Sequence, residues 1–139
     1  MPTLTLEIVS PERLLFSDQA ELAEIPAAEG DIGVLPGHAP MILALRGGVI
    51  RVHRGGSVTH RLFVAGGFAE VTAQRCTVLA DEAIPVEELS ADQARARIAE
   101  AEAAYAVAAK GADVAARERA MARLLSARAR LDAALAAAP

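Results

Sequence analysis

Residues 29–40 read Glu29-Gly30-Asp31-Ile32-Gly33-Val34-Leu35-Pro36-Gly37-His38-Ala39-Pro40. Three glycines and two prolines fall within these twelve positions. Glycine reaches backbone angles closed to other residues, and proline fixes φ while removing a hydrogen-bond donor. The apolar run Ile32 to Leu35 inside that punctuation reads as a short strand entering a stiff turn, not as a linker. Asp31 and His38 stand at either end of it.

The same grammar extends in both directions. Upstream, Leu4, Leu6 and Ile8 alternate with Thr3, Thr5 and Glu7, the pattern of a half-buried strand. Ser10-Pro11-Glu12 turns it. Leu14 to Phe16 makes a second strand and Ala20 to Ile25 a third, whose alternation lapses at Ala23 and admits a bulge there. Downstream, Met41 to Leu45 reads as a buried strand ended by Arg46-Gly47-Gly48. Val49 to His53 and Val58 to Val64 flank Arg54-Gly55-Gly56-Ser57, a hairpin whose turn needs positive φ. Gly66-Gly67 calls for a bulge or a close backbone approach. Phe68 to Thr72 and Cys76 to Ala80 follow. Turn signals recur about every eight to twelve residues, with no room for helical crossovers, as in a β-sandwich or small barrel.

The period changes at Pro85. Ser90 reads as an N-cap with Gln93 completing a capping box, and Asp92 suits the helix dipole. Ile98, Ala101, Tyr105 and Ala108 mark one helical face. Lys110-Gly111 ends that helix, with Gly111 expected in the left-handed cap. Asp113 caps a second helix with the stripe Val114, Met121, Leu124, Leu125, Leu131 and Leu135. So short a connection implies an antiparallel pair. The expected architecture is a β-sandwich of about ten strands over residues 1–86, then an antiparallel two-helix hairpin over residues 87–139. An alanine seam buries little area, so the hairpin is lightly held, while alanine's helix propensity keeps each helix intact when undocked.

Composition narrows the function. The chain has 139 residues, enough to bury somewhat under about 70% of its unfolded surface. Aromatics are 3% and Trp is absent, which leaves the core to Val, Leu, Ile and Ala and argues against base-stacking platforms. Residues 1–89 hold 12 acidic and 6 basic side chains; residues 90–139 hold 6 acidic and 8 basic. The halves therefore favour different partners, and the basic excess is too small for a nucleic-acid arm. Cys76 is the one cysteine and reads as a buried, inert thiol. No leader pattern and no apolar run of membrane length occur, so a soluble intracellular protein is expected. His38, His53 and His60 lack the spacing of a metal site, and neither a nucleophile elbow nor a phosphate-binding loop is present. No catalytic residues, metal or cofactor are assigned. A stand-alone ligand-binding sandwich with a dimerising hairpin is the alternative from composition alone.

The 29–40 stretch resembles the signature loop of the epsilon subunit of F-type ATP synthases. Leu6-Glu7-Ile8-Val9-Ser10-Pro11-Glu12 is similar to that family's first strand and turn, Gly66-Gly67-Phe68-Ala69-Glu70-Val71 to its double-glycine strand, and Val78-Leu79-Ala80-Asp81-Glu82-Ala83-Ile84 to the end of its sandwich. The resemblance implies a non-catalytic central-stalk subunit at the cytoplasmic face of the bacterial inner membrane, held there only through its complex. Its implied partners are the gamma subunit, the c-ring and, through the hairpin, the catalytic beta and alpha subunits. It implies c-ring contacts from Asp31, Val34, Leu35 and His38, where a rigid loop suits torque transfer.

In the tail, Asp92, Arg95 and Ala96 match a regulatory ATP motif of some epsilon subunits, to which Arg119 and Arg123, four apart, would add phosphate contacts. Ala91 stands where that motif has a large aliphatic residue. The resemblance also implies a hairpin that extends against an acidic segment of the catalytic subunits and stalls ATP hydrolysis, with Arg117, Arg119, Arg123, Arg128 and Arg130 as the complementary charge.

Overall fold

The computed structural model describes residues 2–137. Ten strands come first: β1 (Leu4–Val9), β2 (Leu14–Ala20), β3 (Leu22–Ala27), β4 (Gly30–Val34), β5 (Met41–Leu45), β6 (Gly48–Arg54), β7 (Ser57–Val64), β8 (Gly67–Val71), β9 (Arg75–Ala80) and β10 (Ala83–Pro85). A 3-10 turn, Val86–Glu88, leads to α1 (Ala91–Ala109) and α2 (Val114–Ala137).

The strands form two layers. One runs β10-β7-β6-β3, with β4 also on β3; the other runs β5-β8-β9-β1-β2. A single pair, Ala27 with Leu45, joins them through β3 and β5. Pairing is antiparallel except between β1 and β9. Alternation delivers Leu4, Leu6 and Ile8 of β1 inward against Ile25, Ile50, Val52 and Val64 of the facing layer, all nearly or fully buried. This is the expected sandwich, closed almost to a barrel.

Three local expectations change. Ala23 is no bulge: β3 pairs with β4 and β6 without a register shift. Alternation lapses there because β2 ends at Ala20 and Glu21 carries the chain from β1's neighbour to β6's. The register shifts fall instead at Ile8/Val9 and Val52/His53. Met41 to Leu45 is not a buried strand; Met41 and Ile42 are exposed, because β5 covers the core with Leu43 and Leu45 only. Gly111 is not among the positive-φ glycines; Lys110 caps α1 in the right-handed helical region.

The glycine pairs behave as their spacing requires. Gly55 and Gly56 have φ of 65° and 81° and turn the β6–β7 hairpin. Gly67 has φ 130°, and a Cβ there would overlap the Leu79 carbonyl oxygen, so β8 and β9 approach closely.

The hairpin starts as its caps dictate. The Ser90 hydroxyl accepts the Gln93 N–H at 3.2 Å, and an Asp113 carboxylate oxygen accepts the Ala116 N–H at 3.1 Å. Ala101, Leu124 and Ala127 form the seam between the helices, with Ile98 and Tyr105 beside them. The stripe expected on α2 is split: Leu124 is buried, whereas Val114, Leu125 and Leu135 are exposed. Ala101 and Ala127 are the other buried members of the seam.

Candidate functional site

The 29–40 stretch divides at β4. Asp31 lies at the strand's start, opposite Pro26, and is ion-paired with Arg46. Leu35 and His38 lie beyond the strand's far end. There the Gly37 N–H donates to the Ala73 carbonyl at 2.7 Å and the His38 N–H to that of Leu35 at 3.2 Å. The first ties the turn to the β8–β9 corner, and the second closes the turn on itself. Roughly 10 Å of strand separates Asp31 from Val34, so Asp31 and the turn holding His38 lie at opposite ends of β4. Val34 is fully buried in the core. As a surface contact it is therefore corrected: it anchors the turn, while Leu35, 56% exposed, presents the apolar surface.

A second surface was not foreseen. Ala44, Phe68, Leu79, Val9 and Leu14 are successive cross-strand partners over β5, β8, β9, β1 and β2. They form one outward row spanning about 19 Å at ordinary strand spacing. Phe68, Leu79 and Leu14 are each more than half exposed, and Ile42, on the same face but in the next row opposite Glu70, is 74% exposed. Glu70, Thr77 and Glu7 follow as the next row, with Glu7 ion-paired to Arg75. Contiguous apolar bands of this kind on an outer sheet face are typical of surfaces that proteins use for contact. The signal in the sequence was Met41 to Leu45, an all-apolar strand that the inner face alone does not need.

The other layer's outer face is covered by the hairpin. Phe63, Val86 and Ala133 are buried together there, with Val49 and Ile84 alongside. The Ser126 hydroxyl donates to the Ala65 carbonyl at 2.9 Å. A Cβ on Gly47 would come within 2.8 Å of the Ser126 backbone, so α2 lies directly on that glycine. Arg130 is 7% exposed, ion-paired to Glu82, and its guanidinium sits 5.0 Å from the Phe63 ring centroid. Arg130 is thus corrected as a free contact for another subunit: the docked hairpin spends it on its own sandwich. Gly47, Phe63, Glu82 and Ser126 carry no motif, so only the fold reveals them.

The remaining arginines scatter. Arg123 is 3.8 Å from Glu100, and Arg119 and Arg128 are exposed. Arg117 buries its Nε with no hydrogen-bond partner among the described residues. Ala96, Arg119 and Arg123 line one groove between hairpin and sandwich. Asp92 and Arg95 do not line it; they face solvent and pair with each other at 3.3 Å. The five residues of the nucleotide motif are not gathered into one site in this arrangement.

Two of the histidines have structural partners. His53 bonds Glu24 at 2.8 Å, and His60 packs its edge on Phe16. Burial of Cys76 raises its thiol pKa to about 11, which keeps it protonated and unreactive. Among the described residues, no three His, Cys, Asp or Glu side chains are placed to hold a metal, and no helix is long and apolar enough to cross a membrane.

Residues 3–86 match the family model for the ATP synthase, Delta/Epsilon chain, beta-sandwich domain. The ATP synthase epsilon chain of Granulibacter bethesdensis is 57% identical over 134 residues, 96% of this chain and 98% of its own. That of Gluconacetobacter diazotrophicus is 51% identical over 134 residues, 96% of this chain and 94% of its own. A chain in the cryo-EM structure of the Euglena gracilis mitochondrial ATP synthase, OSCP/F1/c-ring, superposes with a TM-score of 0.73 at 26% identity, covering 96% of this chain and 81% of that one. A chain from the Tetrahymena thermophila mitochondrial ATP synthase central stalk/c-ring gives 0.67 at 15% identity over 94% and 96%, a likeness of fold alone.

Proposed function

The chain belongs to the ATP synthase delta/epsilon chain family, and from that premise we propose that it is a non-catalytic central-stalk subunit of a proton-translocating F-type ATP synthase. It couples the c-ring to the gamma subunit from the cytoplasmic face of the bacterial inner membrane, which it meets only through the complex. The near end-to-end match to epsilon chains carries the reading.

The chain's separate surfaces support a division of labour. The bare apolar row through Phe68 and Leu79 suits a permanent subunit contact, and we assign it to gamma. The braced ends of β4, with Asp31 at one and Leu35 and His38 at the other, are the rigid points offered to the c-ring. The hairpin regulates by leaving the sandwich and engaging the alpha and beta subunits through Arg117, Arg119, Arg123 and Arg128, joined by Arg130 once it is free.

Capture of gamma tests the first assignment. Phe68→Glu should weaken it at least about tenfold with an unchanged melting temperature, since the side chain is exposed. Undiminished capture, or self-association of the wild-type chain, would favour a stand-alone sandwich with a dimerising hairpin. Cysteines placed singly at Asp31, Leu35 and His38 report which end meets the ring; no cross-link to c-ring loop cysteines in an intact complex would remove the contact.

Regulatory ATP is the second reading, favoured by Arg119 and Arg123 sharing one groove with Ala96. It requires the hairpin to rearrange so that Asp92 and Arg95 join them. Calorimetry at millimolar ATP decides it: heat and a raised melting temperature support the site, and neither appearing removes it.

A further inference from the structure

Glu82 sits in the turn between β9 and β10, and its backbone is fixed. Its carbonyl accepts the Ala65 N–H at 2.9 Å, and the neighbouring Asp81 N–H donates to the Gly66 carbonyl at 3.0 Å. From this rigid corner the carboxylate meets an arginine from each helix. Arg97 of α1 approaches at 3.4 Å, and Arg130 of α2 is in direct contact. Around it, the hairpin's seat on the sandwich is thin. It includes the Ser126 bond to Ala65, the close approach at Gly47 and the cluster of Phe63, Val86 and Ala133, with Val49, Ile84 and Ala129 packed against it.

We propose that Glu82 is the clasp that sets whether the hairpin is docked or free. One carboxylate holds both helices, so its loss weakens two contacts at once. Arg130 makes the clasp asymmetric. Its guanidinium is sandwiched between Glu82 and the Phe63 ring and is nearly out of water. A buried guanidinium left without its carboxylate is strongly disfavoured, and swinging α2 into solvent relieves it. Arg97 is half exposed and contributes less. The clasp also makes docking and outward binding exclusive. While Arg130 is held by Glu82, it is closed to any acidic partner segment. Such a segment captures the hairpin only by replacing Glu82. That regulatory meaning rests on the latch reading above; the clasp itself does not.

Thiol labelling of the isolated full-length chain tests it without reference to hydrolysis. Ala133→Cys places a reporter thiol beneath α2, against Phe63, while the native Cys76 reports opening of the sandwich core. Glu82→Gln should speed labelling of the introduced thiol at least about tenfold and leave Cys76 unchanged. Arg130→Gln should reproduce that effect, Arg97→Gln should give a smaller one, and Glu88→Gln, an exposed carboxylate on the adjacent 3-10 turn, should give none. Reporter labelling within twofold of the parent in Glu82→Gln overturns the proposal. So does equal acceleration of both thiols, which would make Glu82 a support of the sandwich itself. A latch that fails in the complex while these rates hold would overturn only the inhibitory reading.

Discussion

Gly67 shows how much a single residue settles. Its φ of 130° and the Leu79 carbonyl oxygen against its missing side chain leave no room for a Cβ. Gly67→Ala should cost about 2–4 kcal/mol in urea unfolding, through backbone strain and a forced separation of β8 from β9. A loss under about 0.5 kcal/mol, the scale of ordinary surface changes, would contradict that packing. Cys76 gives a pH signature. Its thiol is held protonated to about pH 11 in the fold against a reference of 9.0. The unfolded chain therefore releases this proton first, so stability falls as pH rises from about 9 and levels off above about 11, at up to about 1.4 kcal/mol per unit. Cys76→Ala should remove that slope, seen as a narrowing stability gap to wild type between pH 8 and 11; a constant gap would contradict it. The paired glycines were legible because backbone geometry leaves a mark in residue type. Val34 was not, because a turn's composition does not say which of its apolar side chains points inward.

At the scale of elements, β1 to β9 were legible from alternation and turn residues, and the helix starts from Ser90 and Asp113; the three-residue β10 was too short to show a period. What stayed hidden was which face each element turns to which neighbour. Met41 to Leu45 is apolar on both sides, which periodicity alone reads as burial on both sides; the structure leaves its outer side bare. The leucine stripe of α2 failed for a related reason. Leu124 reaches the seam beside Ala101 and Ala127, while Leu125 and Leu135 lie off it on the exposed side of α2. Gly47 was legible only as a turn, yet it is the floor on which Ser126 rests. Gly47→Val should lift α2 without disturbing the core. Trypsin cleavage at the α2 arginines should then quicken about tenfold, while the sandwich survives as a resistant fragment. Unchanged cleavage would mean that the hairpin does not depend on this seat.

For the whole molecule, the two outer sheet faces tell the story together. One is covered by the chain's own hairpin through a small, partly ionic seat. The other carries a bare apolar row with no covering element among the described residues. On the proposed reading, the bare face holds one neighbour permanently and the hairpin is an arm kept in reserve. The family was legible from the 29–40 loop, since its glycines and prolines fix a shape; the arm's seat was not, since it joins residues from distant turns. The most direct measurement is ATP hydrolysis by the assembled, membrane-bound complex carrying either the full chain or one lacking residues 90–139. The account predicts several-fold faster hydrolysis without the hairpin, with gamma and the c-ring still joined and proton pumping intact. Unchanged hydrolysis in a complex that still assembles would contradict it.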